Sequence, residues 1–267
     1  MVLLGIFYWV MELFPLYLVL IALGSLVGII AAVIGIGGGV LFVPILVLIF
    51  DFDMKNAVGT SLLAVLITSI SSATAYIKRK KVLYKLGFIL EGASVPGAIL
   101  GAQFSEYVPS TVLKIMFVLF LFIMAIEILR NSGEMHNNSD AEPRYKKDSL
   151  PSALVLSFLA GFLSASLGIG GGVLKVPIMI VILELPVHYA IGTSAFMIVI
   201  TATAGILQHF YYGHIDLFYG GLLGVGALIG AQLGAKVSLE TKPKKLRIIF
   251  GIIIILIALR MLSTMLI

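Results

Sequence analysis

The segment GIGGGVLxVP occurs twice, at 35–44 and 168–177, and Phe42 of the first copy becomes Lys175 in the second. Glycines at this density let the backbone take positive φ and let a ligand approach main-chain N–H groups closely. Where such a cluster opens a helix, the unpaired N–H groups and the positive end of the helix dipole attract an anion. Gly35, Gly37, Gly38, Gly39 and Gly168, Gly170, Gly171, Gly172 are therefore candidate anion-binding residues. The plainer reading is that they only allow tight helix packing. A dinucleotide fingerprint is excluded, because Val40 and Val173 stand where its last glycine is needed.

Lys175 sharpens the anion reading, since a cation inside an apolar segment should face a cavity, an acid or an anionic ligand. The competing expectations are snorkelling to the interface and pairing with Glu184, nine residues on. Hydroxyls follow in each copy: Thr60 and Ser61 recur as Thr193 and Ser194, and Ser61, Thr68 and Ser72 share one helical face, with Thr201 repeating Thr68. They could complete an oxyanion's shell or serve as ordinary interhelical partners. Gln103 and Gln232 could add amide donors. Glu91 stands inside an apolar segment and is a candidate for carrying a coupling proton. His209 and His214 fall near a loop and read as interfacial, and Glu127 and Arg130, one turn apart, read as a pair. Pro44 and Pro177 read as helix-breaking positions.

These residues must be placed by membrane-spanning elements. The chain has 267 residues, 60% hydrophobic and only 12% charged, with no cysteine, and its mean hydropathy is +1.15. Soluble domains carry about 25% charged residues, and a helix of about 20 apolar residues crosses a bilayer. A soluble enzyme, a nucleic-acid-binding module and a disordered chain are thereby excluded, as is thiol or thiolate-metal chemistry. No cofactor or metal site is expected.

The chain is also a repeat. Between 35–61 and 168–194, 15 of 27 positions are identical at an offset of 133. GAILGAQ at 97–103 and GALIGAQ at 226–232 match again at an offset of 129, which implies four residues lost in the second half. Each half divides into five apolar segments, at 16–34, 39–50, 57–77, 86–104 and 111–130, then 151–167, 172–183, 190–208, 217–236 and 246–266. The second of each five is too short to span and starts at the glycines, as a broken or re-entrant element does. The organisation expected is an interfacial segment 1–15, a first repeat 16–130, a cytoplasmic linker 131–149 and a second repeat 150–267.

Charge orients the halves. Fourteen of the eighteen Lys and Arg residues fall in 78–85, in or beside the linker, or in 236–247, whereas the loops 105–110 and 209–216 carry none. The positive-inside rule then selects inverted topology. The fold class expected is an all-α polytopic membrane protein of two inverted five-segment repeats. Each has a glycine-tipped helical hairpin, and the tips meet near the midplane.

Duplicated GxGGGxxxxP followed by GTS, with a basic cytoplasmic face, resembles the sulfite exporter TauE/SafE family, also described as 4-toluene sulfonate uptake permeases. The likeness covers about 16–266, and Gly35, Gly37, Gly38, Gly39, Pro44, Gly168, Gly170, Gly171, Gly172 and Pro177 carry it. It implies a transporter of small sulfur-containing oxyanions in the cytoplasmic membrane, working by alternating access, with proton coupling an option. The alternatives are an anion channel and a permease for another carboxylate or inorganic anion. A membrane enzyme is disfavoured, because neither a cysteine nor paired His, Asp or Glu at ligand spacing is present. The partners expected are a small anion and lipid but no nucleic acid, and both monomer and homodimer stand open.

Overall fold

The computed structural model describes residues 2–130, 145–240 and 244–266. They form α1 (Val2–Ile34), α2 (Gly39–Leu48), α3 (Met54–Lys78), α4 (Tyr84–Tyr107) and α5 (Ser110–Arg130). After a 3₁₀ turn at Lys147–Ser149 come α6 (Leu150–Leu167), α7 (Gly172–Pro177), α8 (Val187–Tyr211), α9 (Leu217–Glu240) and α10 (Lys244–Leu266). There is no strand among the described residues. Seven of the helices, α1, α3, α4, α5, α6, α8 and α9, contain windows long and apolar enough to cross a membrane. The ten expected segments are these ten helices.

Two expectations change in detail. The N-terminal stretch does not close at Pro15, because α1 runs through that proline as one helix of 33 residues. The glycines end the first arm of each hairpin, as expected, and of the two prolines only Pro177 marks a break in its helix. Pro44 lies inside α2, and at Pro177 the short α7 gives way to a π-helical turn, Ile178–Ile182. A proline removes one N–H from the ladder, and widening to π is one way of accommodating that loss. The first arms are long enough to span, over Pro15–Ile34 (20 residues) and Lys147–Leu167 (21 residues, the 3₁₀ turn with α6), so only the second arm of each hairpin is too short, as expected. Most of the linker, 131–144, lies outside the described residues, as does the side chain of Arg130 in the expected pair with Glu127.

The offset of 133 holds along four helices. It relates α3 to α8 and α4 to α9 at both ends, α2 to α7 at their starts, and α1 to α6 at their ends. The four-residue loss inferred from GAxxGAQ therefore does not occur. A methyl group on Gly97 would overlap the carbonyl of Phe158, and one on Gly230 would overlap that of Ser25. Those pairs correspond at 133, so the two matched motifs sit one helical turn apart in equivalent helices.

The halves pack across one another rather than side by side. Gly226, Gly230 and Gly234 of α9 meet the carbonyls of Ile21, Ser25 and Ile29, so α9 runs parallel to α1. Gly97 and Gly101 of α4 meet Phe158 and Phe162, so α4 runs parallel to α6. The central helices oppose each other: Leu62 faces Gly205 while Tyr76 faces Gly192, which makes α3 and α8 antiparallel. Small residues at such seams allow the backbone approach that substitutes for hydrophobic driving force in lipid.

Gly230 and Gly92 test this packing. Gly230→Ala is expected to destabilise the protein by about 1–3 kcal/mol, because the seam must part. At Gly92 an added methyl group would meet nothing within 4 Å, so alanine there should gain about 0.5–1 kcal/mol. Thermal unfolding of both variants in detergent measures the contrast, and equal effects would contradict the seam.

Candidate functional site

The two glycine tips meet as expected. Gly35, Gly37 and Gly38 have φ of 81°, 79° and 91°, and Gly168, Gly170 and Gly171 have 71°, 79° and 73°. These left-handed values turn the chain from one arm of the hairpin into the next. A methyl on Gly39 would overlap the carbonyl of Gly168, and one on Gly172 would stand 2.5 Å from the carbonyl oxygen of Gly35. The N–H groups of Gly37, Gly38, Gly39 and Val40, and those of Gly170, Gly171, Gly172 and Val173, find no acceptor among the described residues. That leaves two rows of unused donors where α2 and α7 begin.

The recurring hydroxyls hold the tips in place. Ser61 donates to the carbonyl of Gly168 at 2.9 Å, and Ser194 donates to that of Gly35 at 3.3 Å. Thr60 accepts from the N–H of Asp216 at 2.9 Å, and Thr193 accepts from that of Leu83 at 3.0 Å. All four hydroxyls are fully buried, and each pair of bonds is exchanged by the same offset of 133. They serve as reciprocal ties between the halves.

Next to the first tip lies a small cavity lined by Gly35, Gly37, Thr68, Ser69, Ser72 and Ile198, with three alanines. A water centre fits over only about 10 Å³ of it, close to the minimum for one water. Ser69 and Ser72 are buried there with hydroxyls that have no partner among the described residues, whereas Thr68 donates to the carbonyl of Ala64. Ser69 is a site residue that the helical-face pattern misses. It lies one position off the Ser61–Thr68–Ser72 face, inside the run SISS, and the run itself is the available signal.

On the second-half side the geometry is occupied by charge. The Nζ of Lys175 is 2.5 Å from Oε1 of Glu91 and also donates to the hydroxyl of Thr201. Thr201 in turn donates to Oε2 of Glu91 at 2.6 Å, and Ser94 lies 3.2 Å from Thr201. Lys175 is 1% exposed and Glu91 3%. Neither alternative for Lys175 holds, since Glu184 instead faces Lys146 at 3.6 Å near the surface. Glu91 does not snorkel either. The two residues, each anomalous alone, are one ion pair.

The remaining candidates lie elsewhere. Gln232 donates to the carbonyl and the hydroxyl of Ser71 at 3.0 and 3.1 Å, pinning α9 to α3. Gln103 follows Glu91 by twelve residues on α4, about 18 Å along the helix, and is not brought to the tips. His209 donates to the carbonyl of Ala165 at 2.9 Å. It touches His214, whose Nε2 is 3.2 Å from Oε2 of Glu106, at ion-pair distance but not aligned as a hydrogen bond. Among the described residues no group of three or more His, Asp or Glu could hold a metal ion.

The all-helical described residues, with seven candidate spans, define a polytopic membrane protein. The chain matches the family described as "Sulfite exporter TauE/SafE" over residues 20–261, and it belongs to that family. It is 33% identical over 260 residues to the "Probable membrane transporter protein YunE" of Bacillus subtilis, covering 90% of this chain and 95% of that one. A probable membrane transporter protein of Methanocaldococcus jannaschii is 31% identical over 265 residues, with 91% and 94% covered. No solved structure gives a significant match. Family and relatives are transporters, not enzymes.

Two outcomes follow from this geometry. Glu91→Ala strands a buried ammonium and should cost about 3–5 kcal/mol, whereas adding Lys175→Met should recover most of the loss. A double-mutant cycle by thermal unfolding in detergent reads this coupling, and additive losses would deny the pair. The second concerns His214, in the loop between α8 and α9. Burial holds its pKa below the usual 6.5, outweighing the upward pull of Glu106, while Lys55 lowers and Asp53 raises it. A depressed folded-state value means the folded protein binds fewer protons than the unfolded chain. Stability is thus complete above 6.5 and lost as pH falls. Melting measured from about pH 7.5 to 5 should show His214→Gln removing part of the acid loss.

Proposed function

We propose that the protein carries small sulfur-containing oxyanions, sulfite or organosulfonates, across the cytoplasmic membrane by alternating access. The reading places the two halves in inverted orientation, with the linker 131–149 on the cytoplasmic side and the glycine tips near the middle of the bilayer. The antiparallel crossing of α3 and α8 supports that orientation, as does the placement of basic residues in 78–85 and 236–247. Irregular backbone at membrane depth is tolerated where protein or a cavity satisfies it, and secondary transporters place substrate at such breaks between repeats.

The observation that carries the proposal is the cavity beside the first tip. It joins glycines whose neighbouring N–H groups lack acceptors to the unpartnered hydroxyls of Ser69 and Ser72. An oxyanion of sulfur offers several acceptor oxygens on a compact, negatively charged group, the complement of that donor set. The present volume is too small for such an ion, so this is the closed form of the site, and admitting substrate requires the tips to separate. The family's description supports sulfur chemistry, while the relatives' names specify transport alone.

The test is sulfite flux in vesicles reconstituted with purified protein. Hydrogen bonds to a charged ligand are worth about 1.5–3 kcal/mol each, so Ser69→Ala with Ser72→Ala should slow transport at least about tenfold. Removing two unpartnered buried hydroxyls should leave the melting temperature equal or higher. Flux equal to that of the unchanged protein would take this cavity out of the pathway.

A further inference from the structure

The Lys175–Glu91 pair has no counterpart in the first half. At the offset of 133, Lys175 corresponds to Phe42, Glu91 to Gly224 and Thr201 to Thr68. Phe42 is fully buried apolar packing, and Gly224 packs against Ile67. Thr68 lines the cavity beside the first tip and bonds no charged group, whereas Thr201 is bonded to both charges. The repeated scaffold thus closes without charge on one side, so the ion pair is not something the fold needs. A buried pair is also a poor stabiliser beside well-packed apolar groups of the same volume.

We propose that Glu91 is a built-in stand-in for the substrate anion. Its carboxylate occupies, on the ammonium of Lys175 and the hydroxyl of Thr201, the place that the substrate's oxygens take during transport. Protonation of Glu91 releases Lys175, and the entering anion becomes the new counter-ion. This rests on the anion-transport reading above and adds its coupling and its charge selectivity.

The charges balance for one kind of substrate. The empty site holds one ammonium and one carboxylate, net zero. After one proton joins Glu91 and one monoanion joins Lys175, the site is again net zero. When the anion leaves, the proton leaves with it and the pair re-forms. A dianion would leave one uncompensated charge in an apolar interior, which is costly. The site therefore selects monoanions such as bisulfite or an alkyl sulfonate over sulfate, and moves each with one proton and no net charge.

Glu91 is well isolated for this role. The helices packed on α4 are α6 and α8, with α7 contributing Lys175. Helix α6 carries no titratable residue. On α8, His188 and Tyr189 stand more than three turns before Thr201, and His209 and Tyr211 two turns or more beyond it. On α4 itself, Tyr84 and Lys85 precede Glu91 by six residues or more, and Glu106 and Tyr107 follow fifteen or more later. Among the described residues, only Lys175 makes an ion pair with Glu91.

The experiment uses methanesulfonate, a monoanion at every working pH, with vesicles reconstituted from the full chain. In the unchanged protein, uptake should rise on acidification by up to about tenfold per pH unit, stay unaffected by a clamped membrane potential, and exclude sulfate. Glu91→Gln, which mimics the protonated acid, should bind methanesulfonate with no pH dependence and lose proton-driven accumulation. Glu91→Gln with Lys175→Met should melt as a folded protein and carry nothing. Retention of the original pH profile in Glu91→Gln overturns the proposal, as does transport by the double variant, which would make the pair merely structural. If the unchanged protein carries neither methanesulfonate nor sulfite at any pH, the transport reading falls and this proposal with it.

Discussion

Polar backbone buried at the centre of an apolar chain is the constraint on which the architecture rests. Each half stops a helix at a glycine cluster, and each stop leaves a carbonyl and a row of amides away from water. In hydrocarbon such groups have to be met from within the protein. Here the opposite half meets the carbonyls: Ser61 binds that of Gly168 and Ser194 that of Gly35. The bonds are reachable only because Gly39 and Gly172 lack side chains where the tips touch. Neither tip is completed by its own half. The same dependence extends outward, where α9 lies on α1 and α4 on α6 through glycine-to-carbonyl contacts. The two halves form one interlocked core.

On this symmetric frame the charges are asymmetric, and the frame shows what they are not for. Phe42 fills in one half the position that Lys175 takes in the other, and it does so fully buried. Desolvating two ions offsets much of their attraction, so that a buried pair tends to break even or worse against apolar packing. Removing one partner is what costs heavily, which ties the two residues together once both are present. Thr201 strengthens the arrangement by donating to one charge and accepting from the other. Within the cluster each charged group has a side-chain partner from another helix.

The parts of the fold that local geometry dictates are legible in the sequence. Glycine is the residue that takes positive φ without strain, so clusters at 35–39 and 168–172 can be read as breaks, and the short segments after them as incomplete arms. The repeat fixes the correspondence of Ser61 with Ser194 and of Thr60 with Thr193, although not their partners, which lie in the other half. GAxxGAQ misleads because small residues recur about once per turn along a packing seam. A four-residue displacement then still matches glycine to glycine. Glu91 and Lys175 are each visible as an anomaly in an apolar segment. Their pairing is not, because 84 residues separate them and no periodicity reports which helices of two halves meet.

The reciprocal ties also bear on how such a core could move. Each serine-to-carbonyl bond contributes a net stabilisation of about 0.5–1.5 kcal/mol, so the two together hold the tips by only a few kcal/mol. That is the scale of difference between two populated conformations of one protein. The glycine seams of α1 with α9 and α4 with α6 are different, since their close backbone contact is lost altogether if the helices part. Rigid seams and weakly tied tips divide the molecule mechanically. In the alternating access proposed above, helices joined across the halves would move as blocks while the tips exchange partners. The exchange is eased because a freed glycine carbonyl and the freed serine hydroxyl leave beside them amides that already lack acceptors. On that reading, an anion arriving there would meet donors that no other protein group has to give up.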